Sequence, residues 1–334
     1  MKTPVRRKIL LLGFLLLAGF AALNALAYRH ARAMLRYAAG GARTEKPEAL
    51  APLAKLRVLL IGVQLPRPAD ERPASVLAPN AQVRTIPVSN DIELSAWYAG
   101  SGASAPLAIF FHGYSTDKTR LLREAREIHA MGAAVLLVDF RGSGGSSENY
   151  ATLGWLEAED VAAAVRYAQE RLPHAARILY GQSMGSAAIL RAIHELGVSP
   201  DAVILESVFD AMLGTVRNRF DAMGVPAFPA AELLTFWGGR QFGFNGFAHN
   251  PVDYATSLEC PALFLHGADD PRATLAEGRR VFEAAPSIRK QFVVFGGVGH
   301  GSYLARHPDP WRAAVRPFIQ LFIEPDRIPR EDFP

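Results

Sequence analysis

The sequence predicts an α/β protein: a mostly parallel sheet covered by helices on both faces, preceded by one long apolar helix. Three observations carry this. Short apolar runs alternate with helical stretches from residue 107 to the C-terminal region, the pattern of repeated βαβ units. The 19 residues from Ile9 to Ala27 contain no charge. The segment "RILYGQSMGSAAILRAIHELG" sets a lone serine, Ser183, between an apolar strand and a helix.

The N-terminal region, 1–36, reads as a membrane anchor with basic flanks. A helix over residues 9–27 would be about 28 Å long, close to the thickness of a bilayer's hydrocarbon. Arg29, Arg32 and Arg36 follow at spacings that put them on one helical face, suited to anionic headgroups. "ALA" at 25–27 offers a signal-peptidase site as the alternative, which would make the protein secreted. The long apolar run and the arginines directly after it favour an uncleaved single-pass helix. Basic residues flank both ends, and the simplest orientation leaves the body outside the cytoplasmic membrane.

Residues 37–82 read as a linker; "PRPADERPASVLAPN" within it is too rich in proline for a regular helix. From residue 83 to residue 324 the texture changes to that of a folded domain. "VRTIPVS" and "IELSAWYA" alternate apolar and polar residues around Asn90-Asp91, a hairpin signature. Strands are expected at 107–113, from 133 into a glycine-rich loop, and at 176–181, 201–207, 261–267 and 290–297. Helices are expected at 117–132, 156–172, from 184 to about 196, near 275–284 and at 309–323. Residues 208–256 break the rhythm: they carry no strand signal but hold Phe209, Phe220, Phe228, Phe236, Trp237, Phe242, Phe244 and Phe247. Such an insertion between buried strands suits a cap with an apolar lining. Because the catalytic elements all lie beyond residue 82, a chain starting near residue 40 is expected to be soluble and active.

Composition excludes several functions. The chain has 334 residues and a net charge of +4, but its first 36 residues hold seven of its 36 basic residues and none of its 32 acidic ones. The rest is therefore mildly acidic, with no basic stripe for nucleic acid. The single cysteine, Cys260, rules out an internal disulfide framework and any multi-cysteine zinc site, and its place before an apolar strand makes it a small buried hydrophobe.

"G-Q-S-M-G" at 181–185 has the form of a nucleophile elbow, in which glycines permit a sharp strand-to-helix turn that holds the serine at the sheet's C-terminal edge. Such a serine needs a base. Of nine histidines, His300 in "FGGVGHGSY" sits in a glycine-rich loop after the last strand; its rival, His307 in "ARHPDP", reads as an exposed turn. A carboxylate should orient the imidazole. "LFLHGADDPRAT" offers Asp269 and Asp270 at a strand end, and the residues alone do not choose between them. Backbone amides of Met184, next to the serine, and Tyr114, after "FFHG", are the natural oxyanion donors.

These motifs resemble the α/β-hydrolases, specifically the serine aminopeptidase/monoacylglycerol lipase-like group. The resemblance spans residues 83–324 and rests on "FFHGYS", "DFRGSGGSS", "GQSMG", "HGADD" and "GVGHGS" in that order. It implies an eight-stranded, mostly parallel sheet, with 208–256 where the family carries its cap. It also implies a triad of Ser183, Asp270 and His300, the acid being chosen because it stands three residues after Gly267. "DDPRAT" departs from the family in lacking the hydrophobic-proline ending often found after the acid. The implied chemistry is hydrolysis of a small-molecule carboxylic ester through an acyl-enzyme, without metal or organic cofactor, with membrane lipid as partner of the N-terminal helix. Peptidase, thioesterase and acyltransferase activities use the same triad. A non-catalytic tethered binding protein is the reading from another class, disfavoured by the complete set of triad candidates.

Overall fold

The computed structural model describes residues 3–69, 71–102 and 104–323. Residues 1–2 of the expected anchor, residue 70 of the expected linker, and residues 103 and 324 of the expected domain over 83–324 lie outside them.

The apolar run does form one helix, α1 (Thr3–Leu35). Its side chains from Ile9 to Phe20 are exposed, whereas Ala27, Ala31 and Leu35 are buried in the body. By length and composition α1 can cross a membrane. The region read as a linker contains a second helix, α2 (Pro52–Ile61), which begins with proline in its first turn and ends at Gly62 in a positive-φ conformation. Its apolar residues are too closely spaced for an evident amphipathic signature.

Eight strands form one sheet: β1 (Gln82–Pro87), β2 (Glu93–Ala99), β3 (Leu107–Phe111), β4 (Ala134–Val138), β5 (Arg177–Gln182), β6 (Ala202–Glu206), β7 (Ala262–Gly267) and β8 (Lys290–Phe295), in the order β1-β2-β4-β3-β5-β6-β7-β8. The β1–β2 hairpin is antiparallel, as is β2–β4, and the other neighbours are parallel. The strands β3 to β7 are buried on both faces, which is why they read as continuous apolar runs rather than alternations.

Side chains still alternate between two cores. Leu107, Ile109 and Phe111 of β3 enter one, Ala108 and Phe110 the other. The first core takes its cover from α4 (Glu157–Arg171) and α5 (Met184–Leu196), the second from α3 (Leu122–Ala130) and α11 (Pro308–Ile323). Between β6 and β7 the chain builds α6 (Met212–Met223), α7 (Ala230–Gln241) and the single turn α8 (Pro251–Tyr254). The helix α9 (Leu275–Ala284) precedes β8, and the short α10 (Tyr303–Arg306) precedes α11.

Some aromatic residues of 208–256 pack against the body, while Phe228, Phe236 and Phe247 are exposed. Phe244 stacks on Trp155 with ring centroids 4.5 Å apart, and Phe242 lies 4.9 Å from Tyr150. Phe209 is the exception that bears on chemistry: it is buried between Ala187 of α5 and Ala273 of the loop after β7.

The N-terminal helices are not detached from this body. Trp237 Nε1 of α7 donates to Asn24 Oδ1 of α1 at 3.1 Å, and Trp237 meets Tyr28 edge-on at 5.5 Å. Lys55 of α2 donates to the Met223 carbonyl at 2.7 Å, and Leu50 joins Phe220 and Met223 in a small apolar cluster. Tyr37 belongs to the first core. A chain starting near residue 40 would lack Leu35 and Tyr37, which are buried against the body.

Candidate active site

Ser183 sits between β5 and α5 with φ 54° and ψ −111°, a backbone state that costs on the order of 1–3 kcal/mol for a non-glycine residue. The flanking glycines make it attainable. A Cβ on Gly181 would lie 2.6 Å from the Ser186 nitrogen, and one on Gly185 would lie 2.1 Å from the Phe111 carbonyl at the end of β3. The Ser183 N–H donates to the Glu206 carbonyl at 2.8 Å, fixing the turn to β6. α5 starts at Met184, so the Met184 N–H is among the first four amides, which have no acceptor within the helix.

The loop after β3 is set by His112 and Thr116. The Phe140 N–H donates to His112 Nε2 at 3.1 Å, so Nδ1 carries the proton and donates to the Gly113 carbonyl at 2.8 Å. The Thr116 hydroxyl donates to the same oxygen at 2.7 Å. In a trans peptide the following N–H points the opposite way, so holding the Gly113 carbonyl aims the Tyr114 N–H. A Cβ on Gly113 would be 3.7 Å from Ser183 Cβ, which puts this loop beside the serine. Burial lowers the His112 pKa, keeping the ring neutral as this arrangement requires.

Asp270 is buried, while its neighbour Asp269 is exposed. Asp270 Oδ1 accepts from the Arg272 and Ala273 amides at 2.9 and 3.1 Å, and His300 Nδ1 donates to Oδ2 at 2.7 Å. Burial opposes ionisation of Asp270, but the His300 charge and these hydrogen bonds outweigh it and hold the carboxyl below the usual range. In its neutral form His300 then carries its proton on Nδ1 and leaves Nε2 unprotonated. Among the described residues Ser183 Oγ makes no hydrogen bond to His300. The structure joins the acid to the histidine and holds the serine at the C-terminal edge of the same sheet. His307 is held elsewhere, donating from Nε2 to the Gly296 carbonyl at 3.0 Å.

Sequence reasoning missed the N-terminal segment's part in this site. The Tyr114 hydroxyl donates to the Met34 carbonyl of α1. Arg43 donates to the Ser115 carbonyl and hydroxyl at 2.7 and 2.8 Å, and Arg272 pairs with Glu48 at 2.8 Å. It also missed Arg219 of α6. Burial lowers the Arg219 pKa; its field reaches Tyr114, Arg272, Glu48 and Asp270, yet among the described residues its guanidinium donates only to the Thr215 carbonyl and hydroxyl. No local motif marks the Tyr114, Arg43 and Arg272 contacts, because each joins residues tens to hundreds of positions apart.

Comparison with known proteins places this geometry. Residues 103–212 match the family model described as serine aminopeptidase, S33. An uncharacterized protein of Mycobacterium tuberculosis is 30% identical over 239 residues, covering 68% of this chain and 75% of that protein. A lysophosphatidylserine lipase, ABHD12, of Danio rerio is 22% identical over 216 residues, covering 60% of this chain and 54% of that one. Among solved structures, an esterase of Pyrococcus furiosus superposes with a TM-score of 0.65 at 22% identity, covering 76% of this chain and 96% of the esterase.

Proposed function

Because the chain belongs to the α/β-hydrolase superfamily and is a serine hydrolase of that fold, we propose that it cleaves the carboxylic ester of a lipid-like substrate through Ser183, His300 and Asp270. His300 Nε2 takes the Ser183 proton as Oγ attacks the ester carbonyl. The developing oxyanion is held by the Met184 and Tyr114 amides, each such donor being worth about 2.7–4 kcal/mol of transition-state stabilisation. Collapse expels the alcohol, which receives its proton from His300. Water, activated by the same histidine, then releases the acid. Asp270 keeps Nδ1 protonated and steadies the imidazolium.

The observation that carries this reading is the buried Asp270 on His300 at the sheet edge where the strained Ser183 turn also sits. Two features support a substrate drawn from a membrane to which α1 would anchor the body, which we place on the extracytoplasmic side. The helix α2 exposes Leu53, Leu56, Leu60 and Ile61, and its end at Gly62 approaches His30 and Ala33 of α1. Phe236, also exposed, packs on Trp237, which itself packs on α1. Arg219, a cation with no carboxylate partner among the described residues, favours an ester with an anionic head.

The test is labelling with a fluorophosphonate, followed by a series of p-nitrophenyl and lysophospholipid esters of varied chain length and head charge. Ser183→Ala should lose labelling and turnover while keeping its far-ultraviolet circular dichroism. Undiminished labelling of that variant would remove Ser183 from the mechanism, and product analysis with an added alcohol separates hydrolysis from acyl transfer.

A further inference from the structure

A polar cavity that none of the proposed site residues lines lies at the seam between α1 and α7. It has a volume of about 230 Å³ and is lined by Tyr28, Arg32, Arg36, Trp237, Arg240 and Gln241. Arg32 lies in the last turn of α1, Arg36 follows directly after the helix ends at Leu35, and Arg240 comes from the last turn of α7. None of the three makes an ion pair among the described residues. Elsewhere the chain pairs its arginines readily: Arg141 with Asp160, Arg272 with Glu48, Arg280 with Asp210 and Arg312 with Glu127. The Arg36 guanidinium is instead held over the rings of Tyr150 and Phe242, 5.7 and 5.1 Å from their centroids, and its buried Nε has no acceptor.

Gln241 adds a group of the opposite kind. Its Nε2 donates to the Trp237 and Tyr28 carbonyls at 3.1 and 3.4 Å, which orients the amide. Its Oε1 is buried and receives no hydrogen bond. The cavity thus combines cations lacking an anion with an acceptor lacking a donor. The two helix C-termini explain why cations are tolerated here. They do not explain three guanidiniums around one cavity with no acid, where mutual repulsion is unfavourable.

We propose that this seam binds a phosphate group, the arginines taking its oxygens and Gln241 Oε1 a neighbouring hydroxyl. An anionic glycerophospholipid head supplies both. Position agrees: Tyr28 and Trp237 meet just beyond the uncharged run, where aromatic residues favour a membrane's polar boundary. Arginine suits phosphate because its planar fork donates two parallel hydrogen bonds. The inference does not depend on Ser183 or on esterase activity.

The experiment uses the full chain in a neutral detergent, with thermal unfolding followed against rising ligand. The probes are short-chain diether phosphatidylglycerol, which has no ester to cleave, its phosphatidylcholine counterpart, and inorganic phosphate. Phosphatidylglycerol should raise the unfolding midpoint in a saturable way, and Arg32→Gln/Arg240→Gln should weaken the apparent affinity about tenfold or more. These side chains hold no ion pair within the protein, so the double variant should fold, as circular dichroism checks. Saturation by inorganic phosphate at the same affinity would support the site and assign it to the free ion. The proposal is overturned by unchanged affinity in the double variant, by equal binding of phosphatidylcholine, or by loss of binding in Arg219→Met, which would locate the ligand in the ester site. Membrane retention of full-length protein after a carbonate wash is read separately and reports on α1 alone.

Discussion

Asp269 and Asp270 are adjacent in the chain and opposite in environment. Asp269 faces solvent; Asp270 is buried, receives two backbone amides and holds His300. Asp270→Asn should lower kcat by about 10³–10⁴-fold, since the amide favours the wrong histidine tautomer. Asp269→Asn should change it little, and the reverse pattern in steady-state rates would reassign the acid. Behind the serine lies a second buried carboxylate. Glu206 accepts from the Tyr180 hydroxyl, and from Gln182 Nε2 at 3.0 Å, one residue before Ser183. Burial, then the nearby Glu124, raises its pKa. A carboxyl with a raised folded-state pKa keeps its proton in the folded protein while the unfolded chain releases it. Its stabilisation is complete below the unfolded pKa of about 4.5 and is lost as pH rises through the folded value. The unfolding midpoint should thus fall between about pH 5 and about pH 8, and Glu206→Gln should flatten that slope. Asp160, pushed up to about 6 by burial against the pull of Arg141, acts in the same direction, so some slope should remain. Asp270, with its pKa depressed, acts oppositely and loses its contribution only at the acid end. An unchanged slope in Glu206→Gln would show that Glu206 is ionised in the folded state.

At the scale of elements, the turn from β5 to α5 depends on how closely α5 approaches β3. A Cβ on Gly185 would stand 2.1 Å from the Phe111 carbonyl, a backbone atom that cannot move without disturbing β3. Gly185→Ala should therefore yield little soluble folded protein, whereas Gly197→Ala, whose added Cβ meets nothing within 4 Å, should cost only the strain of its positive φ, about 1 kcal/mol. Comparable yields of the two variants would mean that α5 can shift away from β3. The core strands and most helices were legible in the sequence, because burial on both faces and helical spacing leave distinct patterns. The helix α2 was not: it exposes Leu53, Leu56, Leu60 and Ile61, so its apolar residues do not mark one buried face.

For the whole molecule, the N-terminal region is both a membrane-type helix and a structural part of the body. Ala31, Leu35 and Tyr37 are buried, the Ala151 amide donates to the Leu35 carbonyl, and Tyr114 of the proposed oxyanion loop bonds to Met34. A chain beginning at residue 24 should keep these contacts, and one beginning at residue 40 should lose them. Removing large buried side chains costs about 2–5 kcal/mol each. The shorter chain should therefore melt on the order of 10 °C lower and turn over ester more slowly. Equal melting and equal rates would show that α1 only tethers the body.

The sequence by itself determined the α/β alternation, the apolar N-terminal helix, the proposed Ser183 and His300, and an acid narrowed to Asp269 or Asp270. Each is written in a local pattern: period, uninterrupted apolar length, or a short motif at a strand end. Only the tertiary structure decided which groups surround them. The Arg43 contact with Ser115 spans 72 positions, the Trp237 contact with Asn24 spans 213, and Arg272 reaches Glu48 across 224. Such contacts form because packing the sheet's two faces brings distant loops to one edge, and a local sequence window carries no record of that meeting.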